Sequence, residues 1–249
     1  MGFNHPRTEA EPSPIKVDPL KGPRVPTDFD VRPQNTSVMR IGLWSAVLAS
    51  IFAITYSVGQ LFEWLGYFGS GGSPNNPSTP LGLFVLLTPS LLLGPSFLVM
   101  MVSVYHLAPE EKRIFGQIGV VFAVVYAVLI SMNYYVQLTV VAPRLASGNT
   151  SGISVLLFIP YNTFPYAVDL LGYGYMSLAT LASAFVFSGE GRERLARWFM
   201  IANGLILPFL VFQTYFPILI WPASLWAVTF PGSTILLATI FRHRAKAAL

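Results

Sequence analysis

Polar and apolar positions along this chain separate into blocks much longer than a helical turn. Formal charge is absent from Ile41–Phe62, Trp64–Pro109, Ile114–Pro143, Leu145–Val168, Leu170–Gly189 and Trp198–Phe241. A helix needs about 20 mostly apolar residues to cross the hydrocarbon of a bilayer. The blocks predict an all-α integral membrane protein, a six-helix transmembrane bundle. Its spans are expected at Met39–Tyr67, Leu81–His106, Ile114–Val141, Tyr166–Phe187, Leu195–Phe216 and Pro222–Phe241.

Local chemistry sets the ends of these spans. Trp64, Tyr67 and Phe68, then the polar turn Ser70–Pro80, close the first, and the charged run Pro109–Arg113 closes the second. Pro143 is expected to end the third. Ile153–Ile159 is apolar but too short to cross, so a short re-entrant or interfacial segment, helical in form, is expected before span four. Pro160–Pro165 (PYNTFP) breaks any helix there, because each proline lacks a donor and disfavours helical geometry in the residue before it. Span six follows a tight turn around Pro217–Trp221.

Basic residues give the bundle a direction. They occupy the stretch from Arg7 to Arg40, then Lys112 and Arg113, then Arg192, Arg194 and Arg197, then Arg242, Arg244 and Lys246. Six spans put these four segments on one side, and Arg144 is the only basic residue left on the other. Lysine and arginine are retained on the cytoplasmic side, so both termini are expected to be cytoplasmic. Residues 1–38 hold seven prolines, mixed charge and no apolar run. They predict a disordered Pro-rich cytoplasmic tail and no cleavable signal peptide. Residues 242–249 form a basic cytoplasmic C-terminus. The protein is thus expected in a plasma or inner membrane, with the lipid bilayer as its first partner.

Composition excludes several alternatives. Charged residues make up 10% of the 249 and apolar residues 53%, against about 25% charged in an average soluble domain. A solvated surface cannot be built from so few charges. The chain has no cysteine, which removes disulfides, thiolate metal sites and cysteine nucleophiles. The net charge of +4 lies beside the spans and next to an anionic leaflet, so no nucleic-acid partner is implied. Three scattered histidines form no metal-ligand set, and no phosphate loop or nucleophile elbow is present, so no cofactor is assigned.

Ionisable groups inside the membrane are costly and mark candidate sites. Glu63, near the outer end of span one, and Asp169, near the outer start of span four, qualify, with Arg144 in the same layer. Tyr56, Gln60 and Glu63 recur on one face of span one; Tyr126, Asn133 and Gln137 share a face of span three; Asp169 and Tyr173 share one on span four. Two interpretations compete. Such stripes serve as hydrogen-bonding glue between membrane helices, and a carboxylate in the first turns of a helix complements its dipole. Alternatively, the faces converge on an outward-facing polar pocket of Tyr56, Gln60, Glu63, Asn133, Gln137, Arg144, Asp169 and Tyr173. Its ligand would be a cation or a hydrogen-bonding amphiphile.

Three functions fit. The first is a small-molecule or ion binding or transport module using that pocket, with no catalytic residue assigned. The second is a non-catalytic subunit of a larger membrane assembly, held by its tail and aromatic spans to membrane-protein partners. The third, with least support, is a membrane enzyme using Glu63 and Asp169 as acid and base. Prolines 89, 95, 208 and 231 lie inside spans and are expected to break or kink them.

Overall fold

The computed structural model describes residues 36–70 and 78–247. Residues 1–35 of the expected tail and the centre of the polar turn at 71–77 lie outside that range, while residues 36–38 of the expected tail belong to the first helix. Among the described residues the chain is helix and turn, with no strand. Helix α1 spans Thr36–Trp64, α2 Pro80–Leu107, α3 Arg113–Val136, α4 Ala142–Ala146 and α5 Phe164–Ala184. Then follow α6 (Arg192–Gly204), α7 (Leu207–Phe212), α8 (Ile220–Ala223) and α9 (Trp226–Ala247).

Five segments are long and apolar enough to cross a membrane: Thr36–Trp64, Pro80–Leu107, Glu110–Ala146, Arg192–Phe212 and Pro217–Ala247. The protein is therefore an all-helical, multi-pass membrane protein by length and composition. Helix α5 is not among the five. Its 21 residues would extend about 30 Å at 1.5 Å per residue, but Tyr166, Asp169 and Tyr173 lower its apolarity. They are buried all the same, because α5 faces protein on most of its circumference.

The long helices close into a ring. Helix α1 packs on α2 and α9, α2 on α3, α3 on α5, α5 on α6, and α6 on α9. Short connections join α2 to α3 and α5 to α6, the geometry of antiparallel neighbours. One end of the ring carries Arg40, Arg113, Arg192 and Arg244 at the starts of α1, α3 and α6 and the last turns of α9. There Glu193 pairs with Arg244 and also accepts from the Gly189 backbone N–H, tying α9 to the α5–α6 connection. The opposite end gathers the C-terminus of α1 and the N-termini of α2, α5 and α9.

Several local expectations are corrected. Pro143 does not end the third span. A π turn at Gln137–Val141 absorbs one residue, and Pro143 then sits in the first turn of α4, where its missing donor costs nothing. Ile153–Ile159 forms no helix. It contains one 3-10 turn, Ser154–Leu156, and Tyr161 beyond it adopts a left-handed φ of 69°. Helix α5 starts at Phe164, two residues before the expected start, because Pro165 fits its first turn. Helix α2 runs unbroken through Pro89 and Pro95, whereas the α6–α7 helix is interrupted just before Pro208. Asn203 bridges that interruption, donating to Thr180 Oγ1 at 2.9 Å and accepting from Thr229 Oγ1 at 3.1 Å. Helix α9 carries the basic C-terminal residues as far as Lys246 within the helix itself.

Close approach of α2 and α3 depends on Gly116. A Cβ there would lie 2.9 Å from Tyr105 Cα, a backbone atom that cannot swing aside. Gly116→Ala should therefore separate the two helices and cost about 1–3 kcal/mol, read as a lower thermal unfolding temperature in detergent. An unchanged temperature would show that the contact yields without cost.

Candidate functional site

Helical spacing brings Tyr56, Gln60 and Glu63 of α1 to one face, and that face turns toward α2, α5 and α9. Helix α5 contributes Tyr166, Asp169 and Tyr173 at the same end of the ring, and α9 contributes Trp226 in its first turn. Together with Leu83 and Leu87 of α2 and Gln213 after α7, they line a cavity of about 380 Å³. This is within the range of small-ligand pockets, roughly 300–1,000 Å³.

The two carboxylates are held in different ways. Glu63 is only 4% exposed, and neither of its side-chain oxygens has a hydrogen bond among the described residues. The carboxylate lies against Gly82: a Cβ there would come within 2.7 Å of Glu63 Oε2. Gly82 is in the first turn of α2, where Thr79 caps the helix and accepts from the Gly82 N–H at 3.1 Å. The positive end of the α2 dipole therefore faces the Glu63 charge. Asp169 is 6% exposed, and its Oδ1 accepts from the Tyr134 hydroxyl of α3. Its Oδ2 has no hydrogen bond among the described residues.

Aromatic rings form the inner wall. The Tyr56 and Tyr173 centroids are 6.3 Å apart, and Trp226 meets them edge-on at 5.8 and 5.1 Å. Behind these, Phe230 stacks on Trp226 at 5.3 Å, Tyr126 meets Tyr173 at 5.9 Å, and Phe97 packs against both Tyr126 and Phe230. Trp226 Nε1 donates to Met176 Sδ, which fixes the indole. Tyr56 donates to Gln60 Oε1, and Tyr166 to Gln213 Oε1. The Tyr173 hydroxyl is buried without a hydrogen bond.

The remaining expected residues lie elsewhere. Asn133 donates to the Pro165 carbonyl at 2.9 Å and Gln137 to the Leu156 carbonyl at 2.7 Å. Asn133 thus ties α3 to the first turn of α5 and Gln137 holds the segment before it, so here the glue interpretation describes their contacts. Arg144 is exposed and donates to the Ser151 carbonyl at 3.0 Å. It forms no ion pair with Glu63 or Asp169. The cavity lining thus contains two acids and no Lys, Arg or His.

No protein-family model, curated protein or solved structure matches the chain. What the site can do must follow from its own chemistry. No group of three or more His, Cys, Asp or Glu side chains gathers among the described residues. The lining offers a partly open, mostly apolar chamber with two separate carboxyl groups.

Tyr134, Trp226 and Gly82 were not singled out from the sequence. Tyr134 had a usable signal, since it lies eight residues after Tyr126, two turns further on the same face. Trp226 had none, because an aromatic at a span end reads equally as an interfacial anchor. Tyr134→Phe removes the one hydrogen bond that the Asp169 carboxyl accepts among the described residues and should cost about 1–3 kcal/mol, measured as a lower unfolding midpoint. Full retention of stability would mean that the carboxyl is satisfied without it.

Proposed function

We propose that this multi-pass membrane protein binds a small molecule or ion in the chamber between α1, α2, α5 and α9, and acts as a binding or transport module. The observation that carries the proposal is the pair of buried carboxylates on one cavity with no basic side chain in its lining. A carboxylate used only as structure is normally paired, since an uncompensated buried charge is expensive. The α2 dipole offsets part of that cost at Glu63 and one tyrosine hydroxyl part of it at Asp169. Neither is a full counter-charge. A ligand that completes the compensation gains whatever the empty chamber lacks.

The accompanying topology has six spans, with α5 counted as the fourth, both termini cytoplasmic and the chamber facing the opposite side. The closed ring of helices and the grouping of basic residues at one of its ends support it. An interrupted α6–α7 helix beside the chamber suits a transporter, whose sites are built where membrane helices are discontinuous.

The natural absence of cysteine makes the topology directly testable. Single cysteines placed at Ser13, Ser151 and Ala247 can be labelled with an impermeant maleimide on intact cells. Labelling of Ser151→Cys alone is the expected result. Opposite accessibility of the Ser13 and Ala247 variants would require an odd number of spans. Binding is tested by thermal-shift screening of the full chain in nanodiscs against inorganic cations, amines and neutral solutes. At least one class should stabilise the wild type, by about 2.7 kcal/mol at a hundredfold excess over Kd, and not the E63Q/D169N double variant. Equal shifts in both proteins, or none in either, would contradict the pocket.

A further inference from the structure

Three features of the chamber narrow its ligand, on the premise that it is a binding site. Its charge is entirely negative, from Glu63 and Asp169. Its inner wall is a packed set of electron-rich rings, Tyr56, Tyr173 and Trp226. Most of the remaining lining is aliphatic, from Leu83, Leu87 and their neighbours.

Small inorganic cations fit this poorly. Calcium takes six to eight oxygen ligands, and magnesium keeps several waters in an octahedral shell. Gln60 and Gln213 of the lining already accept from tyrosine hydroxyls, and no third acid joins Glu63 and Asp169 among the described residues, so the rings and leucines leave such a shell incomplete. An anionic ligand would meet two like charges with no basic group to offset them. A neutral ligand would leave the Glu63 carboxylate, buried and without a hydrogen bond, as uncompensated as before. A cation with an apolar body satisfies all three features. The rings attract its charge through their quadrupoles, most strongly at tryptophan, the carboxylates neutralise it, and the leucines cover its hydrocarbon.

We infer that the chamber takes a small organic cation, an amine or quaternary ammonium with an apolar substituent, anchored by Asp169 and lying against Tyr56, Tyr173 and Trp226. Asp169 is the anchor because its Oδ2 is free while Oδ1 is already held by Tyr134. Glu63 supplies a second negative point from the α2 side.

The test compares phenyltrimethylammonium with its neutral isostere tert-butylbenzene, using isothermal titration of the full chain in nanodiscs. Calcium chloride and sodium chloride serve as inorganic probes, and empty nanodiscs correct for partition into lipid. The expected result is saturable binding of phenyltrimethylammonium, with the isostere at least about tenfold weaker, a difference of about 1.4 kcal/mol. Asp169→Asn should weaken the cation by about tenfold or more, and both Asp169→Asn and Trp226→Leu should weaken the cation by a larger factor than the isostere. The wild-type comparison stands even if a variant fails to fold. Equal binding of cation and isostere would overturn the inference while leaving a pocket in place. Saturable binding of calcium or sodium with none of phenyltrimethylammonium would do the same. No saturable binding of any probe would overturn both the inference and the binding function it rests on.

Discussion

A carboxylate withdrawn from water must be met by opposite charge, by donors or by a dipole, and in this protein the arrangement of one end of the bundle follows from meeting two of them. Glu63 has only the N-terminal turn of α2 against it, which requires glycine at position 82 and an unobstructed start to the helix. Asp169 has Tyr134, which requires α3 and α5 to pack closely at this end of the bundle. Helix α5 can carry so polar a face because its neighbours cover it. The consequence is a helix long enough to cross a membrane but not apolar enough to be counted among the five segments that are.

Secondary contacts support this end of the bundle. Asn133 and Gln137 hold the irregular chain before α5 by its carbonyls, and the π turn at Gln137–Val141 allows α3 to continue past the point where Pro143 would otherwise stop it. Trp226 is fixed by Met176 and by its stack on Phe230, so the aromatic wall is in place without a ligand. Rings already ordered lose little conformational freedom on binding, which is what preorganisation contributes to affinity. At the other end the Glu193–Arg244 pair holds α6 to α9, and further along α6 the Asn203 bridge ties it to α5 and to the first turns of α9. The bundle is thereby stiff where it carries basic charge and hollow where it carries acidic charge.

Much of this was legible in the sequence because the signals are of membrane scale. Long charge-free runs give the apolar helices, and the periodicity of Tyr56, Gln60 and Glu63, or of Asp169 and Tyr173, puts the right groups on inward faces. Partner choice was not legible. Asn133 and Gln137 share the same kind of face as Glu63, yet they donate to the carbonyls of Pro165 and Leu156, partners set by where α5 and the segment before it pack. Arg144 has the right depth to neutralise a carboxylate, but the π turn and α4 carry it to the rim, where it bonds to Ser151. The absence of a counter-charge, which is the most informative property of the chamber, thus depends on a helical irregularity that no periodicity reports.

Native mass spectrometry of the protein extracted from its own membrane in mild detergent tests the central claim most directly. A chamber that waits for a counter-charge predicts a monomer or homo-oligomer carrying an additional small mass, released on activation as a cation and missing from the Asp169→Asn variant. A bare chain co-purifying with heterologous subunits in fixed ratio would contradict the account and make both carboxylates elements of an assembly.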